Sequence, residues 1–293
     1  MTEHRTVVTG AAGQVGRELL ALGAVGVTRD RLDLTAPPGA LREAALRLFT
    51  GAGTVVNAAA YTAVDAAEDP ACRSTVEAVN AVAPGVLAEA AAEVGARFVQ
   101  ISTDYVFPGV PPVPGREWRV DDAVDPLNVY GLTKAAGEDA TLARGGTVVR
   151  TAWVWSGPHA PGRDFVTTMA DLAARGVDPR VVDDQTGRPT YAPDLAAGLW
   201  ALSQSDGVLP PVLHYTNSGA PVTWCGLARE VFAVLGHDPA RVAACTGDEW
   251  PSPARRPDWS VLDLSAWRAA VGEPPSWTKA LRRGLGGGVA PVD

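Results

Sequence analysis

The chain has 293 residues, enough for one large domain or two unequal domains with a well-buried core. Its net charge of −8 argues against nucleic acid or an anionic membrane surface as the main partner. Three widely spaced cysteines with no CxxC pair, and four scattered histidines, argue against a disulfide scaffold and against a metal site.

The first half of the chain alternates short apolar runs with helical patterns. This alternation predicts an α/β fold in which a Rossmann-like, doubly wound parallel sheet carries helices on both faces. The predicted strands are Thr6–Thr9, Gly26–Thr28, Thr54–Asn57, Arg97–Ser102 and Thr147–Thr151. The predicted helices lie near Gly13–Leu22, Leu41–Phe49, Cys72–Ala81, Pro84–Val94 and Val129–Ala143.

A glycine-rich turn follows the first predicted strand and reads Thr9-Gly10-Ala11-Ala12-Gly13-Gln14-Val15-Gly16. Gly10 permits a tight turn, Gly13 lets the backbone approach a pyrophosphate, and Gly16 lets the next helix pack closely on the strand. The helix N-terminus offers free N–H groups and a positive dipole end to phosphates. This context predicts a dinucleotide site, although a glycine cluster alone is also compatible with a structural turn.

Polar residues end a later strand, where Ser102-Thr103-Asp104 follows the apolar run Phe98–Ile101. Ligands in open α/β sheets lie beyond the carboxyl ends of strands, so a hydroxyl here is a candidate site residue. Taken alone, the same three residues are more typical of an ordinary helix or turn cap.

Tyr130 and Lys134 stand four residues apart at the start of a predicted helix, and therefore on one helix face. A nearby cation stabilises a phenolate, so we expect Lys134 to lower the pKa of Tyr130 toward neutrality. Such a tyrosine can pass a proton to or from a substrate oxygen. The spacing alone is common on exposed helices, and the other motifs give it its meaning.

The composition changes after residue 152: proline-punctuated segments multiply, and all nine tryptophans lie at or beyond Trp118. We predict a dinucleotide-binding domain over residues 1–152 and a smaller α/β lobe over 153–293 that mainly binds substrate. A helix near 194–202 is expected to return to the first domain. The proline-rich segment Pro108–Pro126 joins Thr103 to Tyr130, so we expect it to border the active site.

Together these motifs resemble those of the extended short-chain dehydrogenases and reductases. Over nearly the whole chain they resemble the dTDP-4-dehydrorhamnose reductase family. Each matching segment is a modest signal, but their order and spacing are specific. The segments are Gly10–Gly16, Val55–Asp65, Ser102–Phe107, Pro126–Gly131, Arg150–Trp153, Asp184–Thr190 and Arg256–Ser260.

The resemblance implies a catalytic triplet of Thr103, Tyr130 and Lys134. Tyr130 would give its proton to the sugar C4 oxygen as hydride arrives from the nicotinamide, and Thr103 would hydrogen-bond that oxygen. Lys134 would hold the nicotinamide ribose. The implied substrate contacts are Val64, Thr103, Asp104, Tyr105, Tyr130 and Trp153. For Trp153, core packing is an equally good interpretation of the sequence.

The resemblance also implies that NADPH or NADH binds along the glycine turn and the neighbouring strand ends. The implied cofactor contacts are Gly10, Ala12, Gly13, Gln14, Val15, Arg29, Asp33, Leu34, Ala58, Ala59, Ala60, Tyr130 and Lys134. Arg29 favours the 2′-phosphate of NADPH, whereas the neighbouring Asp30 leaves NADH open.

Some positions depart from the family pattern, which leaves the sugar and the assembly open. Val120 and Asp164 replace a glutamate and an asparagine, and the segment Tyr191–Asp194 lacks a glutamate that helps some relatives bind a metal between subunits. We therefore expect a monomer or homodimer without a metal. No glutamate follows Asp104, which disfavours a dehydratase. A reductase of another dTDP-deoxysugar and a non-catalytic NADP-binding regulatory subunit remain alternatives.

The sequence shows no signal peptide and no apolar run of 18 residues. We therefore expect a cytoplasmic protein whose partner is a dTDP-sugar, with neither a membrane nor a nucleic acid bound.

Overall fold

The computed structural model describes residues 5–158 and 163–286. The strands are β1 (Thr6–Thr9), β2 (Val25–Val27), β3 (Thr54–Asn57), β4 (Arg97–Thr103), β5 (Thr147–Thr151), β6 (Val154–Trp155), β7 (Arg180–Val182), β8 (Thr186–Gly187), β9 (Thr190–Tyr191), β10 (Val212–His214), β11 (Val222–Thr223) and β12 (Ala243–Cys245). The α-helices are α1 (Gln14–Ala21), α2 (Pro38–Phe49), α3 (Arg73–Glu77), α4 (Ala83–Glu93), α5 (Val129–Leu142), α6 (Phe165–Ala174), α7 (Ala192–Gln204), α8 (Trp224–Val234), α9 (Ser265–Ala270) and α10 (Trp277–Gly284).

A six-stranded parallel sheet forms the centre of the fold, with the strand order β10-β5-β4-β3-β1-β2. The five strands predicted for the first half are present, with one-residue differences at the ends of β2 and β4. The sixth strand, β10, comes from the second half and was not predicted, because only two apolar residues follow Pro210 and Pro211 before the polar His214. The predicted α/β fold with a doubly wound parallel sheet is confirmed.

Helices cover both faces of this sheet. On one face α2 packs against α4 over a core that includes Val7 and Val55, and on the other α1 packs against α7 over Val8 and Val56. Successive strand residues point to opposite faces, so a strand buried on both sides needs an unbroken apolar run. This explains why the runs in β1 and β3 are readable in the sequence.

The predicted helix over Cys72–Ala81 is interrupted. α3 is short and continues as a π-helical turn over Ala78–Val82 into α4. Pro84 has no N–H to bond the Asn80 carbonyl in α-helical register, so the turn widens there. The buried Asn80 side chain accepts from the Tyr61 N–H at 2.9 Å and donates to the Tyr61 carbonyl at 3.1 Å. These bonds fix the loop after β3.

A smaller lobe contains α6, α8, α10 and three two-stranded sheets, β11–β8, β12–β7 and β6–β9. Its own apolar core includes Trp155, Phe232 and Trp277. From the same half of the chain, α7 packs on α1, and β10 pairs with β5. The domain division at residue 152 stays a prediction, and its outer ends, residues 1–4 and 287–293, lie outside the described residues.

The segment 108–126 packs beside α5. Trp118 is buried and stacks on Phe107 with ring centroids 4.7 Å apart. Its backbone forms an isolated parallel β-bridge with Leu262. No residue of this segment lines the cavity described below. Trp118 instead packs in a small core with Phe107 and Leu262. The expectation that this segment borders the active site stays a prediction.

Candidate active site

A cavity of about 690 Å³ lies at the carboxyl ends of the central strands. Its walls come from the turn after β1, the loops after β2 and β3, the ends of β4 and β5, and the first turns of α5. This is the crevice in which open α/β sheets bind ligands. All the site residues predicted from the sequence line it except Val64 and Tyr105.

The turn between β1 and α1 presents backbone to the cavity. Gly10 has a φ of 68°, and a Cβ there would lie 2.6 Å from the Ala59 nitrogen. The Gly13 N–H bonds the Gly10 carbonyl at 2.9 Å, and α1 begins at Gln14 with no side-chain cap and no acidic residue in its first turn. Uncapped N–H groups at the positive end of a helix suit a phosphate. The turn therefore fits a dinucleotide pyrophosphate.

The loop after β2 contributes two charged residues, Arg29 and Asp33, to the cavity lining. Asp33 accepts hydrogen bonds from the Thr35 hydroxyl at 2.7 Å and the Thr35 N–H at 3.0 Å, and these bonds lower its pKa. Asp30 lies outside the lining and accepts from the Thr28 hydroxyl. Arg29 thus faces the cavity while Asp30 is bonded within its own turn, which suits a 2′-phosphate better than a ribose diol.

Ala58, Ala59 and Ala60 continue the lining after β3. The preceding Asn57 is buried; it accepts from the Thr9 hydroxyl and donates to the Gln100 side chain at 2.7 Å. These bonds tie the carboxyl ends of β1 and β3 to the middle of β4, and so hold this wall in place.

Thr103 and Tyr130 meet inside the cavity. Thr103 is the last residue of β4 and Tyr130 the second of α5, and both residues line the cavity. The Asn128 side chain caps α5 by accepting from the Gly131 N–H at 2.8 Å. A Cβ at Gly131 would collide with the Tyr105 carbonyl, so α5 begins in direct contact with the loop after β4. The cap and this contact position Tyr130 against Thr103.

Burial controls the protonation of the tyrosine and the lysine. Burial, followed by the charge of Asp104, raises the pKa of Tyr130 to about 12 against a lowering by the Thr103 hydroxyl. Burial lowers the pKa of Lys134 to about 8, and its Nζ donates to the Ile101 carbonyl at 2.7 Å. The predicted lowering of the tyrosine pKa is therefore wrong for the protein alone, because desolvation outweighs any effect of an ammonium bonded to a backbone carbonyl.

Asp104 is a buried carboxyl beside this pair. The Thr103 hydroxyl donates to its Oδ1 at 2.9 Å, and the Ser260 hydroxyl lies close enough to lower the pKa of the carboxyl. Its Oδ2 has no hydrogen-bond partner among the described residues, although Asp104 lines the cavity. Burial raises the pKa of Asp104 to about 7 against the lowering by these hydroxyls. Both protonation states are therefore populated near neutral pH.

Trp153 combines packing with cavity lining. Its φ of 50° lies in the left-handed region that bulky residues rarely adopt. Its ring stacks on Trp224 with centroids 3.6 Å apart and planes 11° apart, and the residue also lines the cavity. Trp153 therefore both packs and lines the cavity, and its stacking on Trp224 fixes the ring orientation.

Val64 and Tyr105 lie outside the cavity lining. Tyr105 stands edge-on to Tyr130 with ring centroids 5.9 Å apart, and the charge of Arg256 acts on its phenol. Val64 precedes Asp65, whose carboxylate pairs with Arg256 at 2.8 Å. Both residues therefore lie near the point where the second half of the chain meets the first. Their contacts with a sugar stay predictions.

The cavity also includes polar residues that sequence reasoning missed: Thr28, Thr35, Thr62, Thr75, Ser102 and Thr151. Ser102 and Thr151 lie at the carboxyl ends of β4 and β5, so the rule for open sheets could have identified them. Thr75 lies on α3, and no sequence signal marks it.

Asp164, the residue that departs from the family pattern, caps α6. Its carboxylate accepts from the Thr167 N–H at 2.8 Å and from the Ser156 N–H at 2.9 Å. Arg163 pairs with Asp171 at 3.6 Å. A carboxylate bonded to two N–H groups at a helix N-terminus is stabilised there, which explains how the chain accommodates this charge.

In the segment Tyr191–Asp194, which lacks the glutamate, Asp194 pairs with Arg283. Within residues 5–158 and 163–286, no three His, Cys, Asp or Glu side chains are grouped to hold a metal ion. None of the helices in these ranges is long and apolar enough to cross a membrane.

Known proteins with similar sequences and folds agree with this site. Residues 4–286 match the family model described as the RmlD substrate binding domain. A dTDP-4-dehydrorhamnose reductase of Mycolicibacterium smegmatis is 44% identical over 290 residues, which cover 95% of this chain and 84% of that protein. A probable dTDP-4,6-dihydroxy-2-methyloxan-3-one 4-ketoreductase of Streptomyces antibioticus is 42% identical, with 95% and 93% covered.

Among solved structures, the dTDP-4-dehydrorhamnose reductase of Bacillus anthracis in complex with NADP matches with a TM-score of 0.85 and 29% identity, covering 96% of this chain and 98% of that one. The family model spans nearly the whole chain, and the sequence relatives exceed 40% identity over most of their length. The chain therefore belongs to the dTDP-4-dehydrorhamnose reductase family, as its motifs predicted.

Proposed function

We propose that this protein catalyses the NADPH-dependent reduction of the C4 ketone of a dTDP-4-keto-6-deoxyhexose. The preferred substrate is dTDP-4-dehydrorhamnose, which would give dTDP-L-rhamnose. The observation that carries the proposal is that Thr103, Tyr130 and Lys134 line the same cavity as the glycine turn. The names of the M. smegmatis and B. anthracis proteins support this substrate.

The cofactor is held mainly by residues 1–152. The free N–H groups at the start of α1 bind the pyrophosphate, and Arg29 binds the 2′-phosphate. NADPH is preferred over NADH because Arg29 faces the cavity while Asp30 bonds Thr28. The NADP named in the B. anthracis structure supports the same choice. When bound, the reduced nicotinamide supplies the hydride that adds to C4.

Tyr130 acts as the general acid. Its pKa of about 12 keeps the phenol protonated at neutral pH, so it holds a proton for the C4 oxygen. Thr103 fixes that oxygen by a hydrogen bond, and Lys134 binds a cofactor ribose hydroxyl and stabilises the negative charge that develops. Contacts with Val64, Asp104, Tyr105 and Trp153 orient the sugar.

Residues 153–293 mainly bind the substrate, while α7 and β10 complete the first domain. The protein acts in the cytoplasm as a monomer or homodimer, with a small-molecule substrate as its main partner and neither a nucleic acid nor a membrane bound. The charge of −8 supports the last point because nucleic acids and anionic lipids would be repelled.

A second candidate is a 4-ketoreductase for another dTDP-deoxysugar. The observation in its favour is the 42% identity to the S. antibioticus protein, which is close to the 44% for the M. smegmatis reductase. These two substrates differ in the groups around the ketone, while the chemistry at C4 is the same.

The test is a panel of dTDP-4-keto-6-deoxyhexoses with NADPH, measured by absorbance of NADPH and by NMR of the product at C4. The proposal expects the highest kcat/KM with dTDP-4-dehydrorhamnose. A higher value with another sugar would favour the second candidate. NADPH binding without oxidation by any sugar would instead indicate the regulatory subunit.

A further inference from the structure

One aromatic residue outside the cavity holds a residue that lines it. Trp153 lines the cavity, whereas Trp224, the first residue of α8, does not. Their rings stack with centroids 3.6 Å apart and planes 11° apart. Because the ring of Trp153 rests on this stack, a change at Trp224 would move part of the cavity wall without touching a ligand in the cavity.

The backbone of Trp153 needs support from its neighbours. A bulky residue at a φ of 50° is strained, and such strain persists only where the surrounding structure imposes it. The Thr190 N–H bonds the Trp153 carbonyl at 3.1 Å. A Cβ at Gly187 would lie 2.7 Å from Trp153 Cε2, so the backbone there is in direct contact with the ring. The ring is therefore held by the Gly187 backbone as well as by Trp224.

Trp224 is itself anchored by two helices of the smaller lobe. Its ring contacts that of Phe165, the first residue of α6, with centroids 4.6 Å apart. The Thr223 hydroxyl caps α8 by accepting from the Gly226 N–H at 2.9 Å. Both aromatic side chains pack against the apolar core of the lobe. The starts of α6 and α8 therefore fix the partner on which Trp153 stacks.

We propose that Trp224 determines which 4-keto sugar the site accepts, because it fixes the ring of Trp153 as a rigid wall of the cavity. The inference rests on the proposed reductase function and concerns its substrate selectivity. Trp224 would act only through Trp153 and is therefore a positioning residue. A rigid aromatic wall fits one arrangement of sugar substituents and clashes with another.

Two isomers provide the probe for this selectivity. dTDP-4-dehydrorhamnose and dTDP-4-keto-6-deoxy-D-glucose contain the same atoms and differ in configuration at C3 and C5. They present the same ketone to Tyr130, so the ratio of their kcat/KM values reports the fit of the sugar rather than the chemistry at C4. We expect the wild-type protein to prefer one isomer clearly.

The first test measures this ratio with saturating NADPH in wild type, W224F and W224L. Phe still offers a ring for stacking, so W224F should keep most of the preference. Leu removes the ring, so the ratio in W224L should fall about tenfold, mainly through a higher KM for the preferred isomer. NADPH affinity should stay unchanged. W250L is the matched control, because Trp250 is 64% exposed and the substitution is the same.

The second test asks whether Trp224 acts through Trp153. In a W153L background, W224L should change the ratio no further, because the ring that it positions is already gone. G187A disturbs the same ring from a different residue, since its Cβ would collide with the ring, and it should also lower the ratio. If W224L does not fold, G187A decides the point by the same measurement.

A third measurement needs no turnover. In nuclear magnetic resonance spectra of the free protein, the indole N–H signal that W153L removes should shift in W224L, which lacks the stacked ring, and stay in place in W250L. An unshifted signal would overturn the proposal. So would a wild-type ratio near one, an unchanged ratio in folded W224L, a further fall in the double variant, or an equal loss of NADPH affinity. If wild type oxidises NADPH with neither isomer, the proposed function has failed, and the indole signal still tests the stack.

Discussion

Single residues decide the chemistry, and Tyr130 is the first of them. Its phenol is desolvated, which raises its pKa to about 12 and keeps it protonated at neutral pH. Lys134, four residues later, is buried as well, with its pKa lowered to about 8. Both groups therefore line the cavity but are desolvated, an arrangement typical of active sites rather than of exposed helix surfaces.

Replacing Tyr130 with Phe removes only the hydroxyl, and we expect turnover to fall by at least about 100-fold because the C4 oxygen loses its proton donor. NADPH binding, measured by fluorescence titration, should stay within a few-fold of wild type. Tyr61 lines the same cavity and serves as the control, since Tyr61→Phe should leave turnover nearly unchanged. Near-normal turnover in Tyr130→Phe would contradict the mechanism.

Gly10 is a second decisive residue, because the turn has no room for a side chain at this position. Gly10→Ala combines a left-handed φ of 68° with a Cβ 2.6 Å from the Ala59 nitrogen. We expect it to lower the free energy of unfolding by more than about 3 kcal/mol and to abolish NADPH binding. Gly95→Ala is the matched control: its φ is 76°, but nothing lies within 4 Å of the new Cβ. It should cost only about 1–2 kcal/mol. Equal losses in denaturant titrations would contradict the steric argument.

Among the elements, α5 matters most to the site because it carries both Tyr130 and Lys134. Its C-terminal half is fixed to β5 by a buried ion pair, in which Arg150 Nε and a terminal guanidinium nitrogen bond Glu138 at 2.7–3.1 Å. The same guanidinium lies over the Phe107 ring at 5.0 Å. The helix is therefore held at its start by the Asn128 cap and further along by this pair.

Glu138→Gln leaves the Arg150 charge buried without its partner, so we expect a loss of about 3–5 kcal/mol in the free energy of unfolding. The control is Glu77→Gln on α3, which breaks a half-exposed pair with Arg73. It should cost at most about 0.5 kcal/mol. Urea titrations of both variants decide the point, and a small loss in Glu138→Gln would show that the pair does not anchor α5.

For the whole molecule, the order of elements in the chain differs from their order in space. The central sheet takes its last strand, β10, from the second half, and α7 covers α1. The Arg256–Asp65 ion pair in turn joins the second half to a loop of the first. The two halves are therefore mutually dependent, although their compositions differ.

We expect a fragment of residues 1–152 to unfold without cooperativity and to bind an apolar dye, because it lacks the α7 side chains that bury Val8 and Val56. Adding residues 153–293 as a separate chain should restore part of the cooperative transition, as measured by circular dichroism. Cooperative unfolding and NADPH binding by the first fragment alone would contradict this dependence.

The sequence was most informative where one interaction determines the local structure. Buried strands such as β1 and β3 need unbroken apolar runs, and the glycine turn needs residues without Cβ, so both were predicted correctly. Strand β10 was missed because its three residues are specified by pairing with β5 rather than by their own pattern. The pKa of Tyr130 was misjudged because its burial depends on the whole fold. The four-residue spacing of Tyr130 and Lys134 gives no information about that burial. The same holds for the burial of Asp104.

The uncapped start of α1 links the cofactor to the stability of the fold. The first N–H groups of α1 have no side-chain cap, so a bound anion can accept hydrogen bonds from them. A ligand that binds only the folded state raises the free energy of unfolding by RT ln(1 + [L]/Kd). At a hundredfold excess over Kd this amounts to about 2.7 kcal/mol. The melting temperature should therefore rise with NADPH and less with NADH at equal concentration, if Arg29 binds the 2′-phosphate as proposed, because NADH lacks that group. A thermal shift can thus rank dinucleotides before any sugar is available.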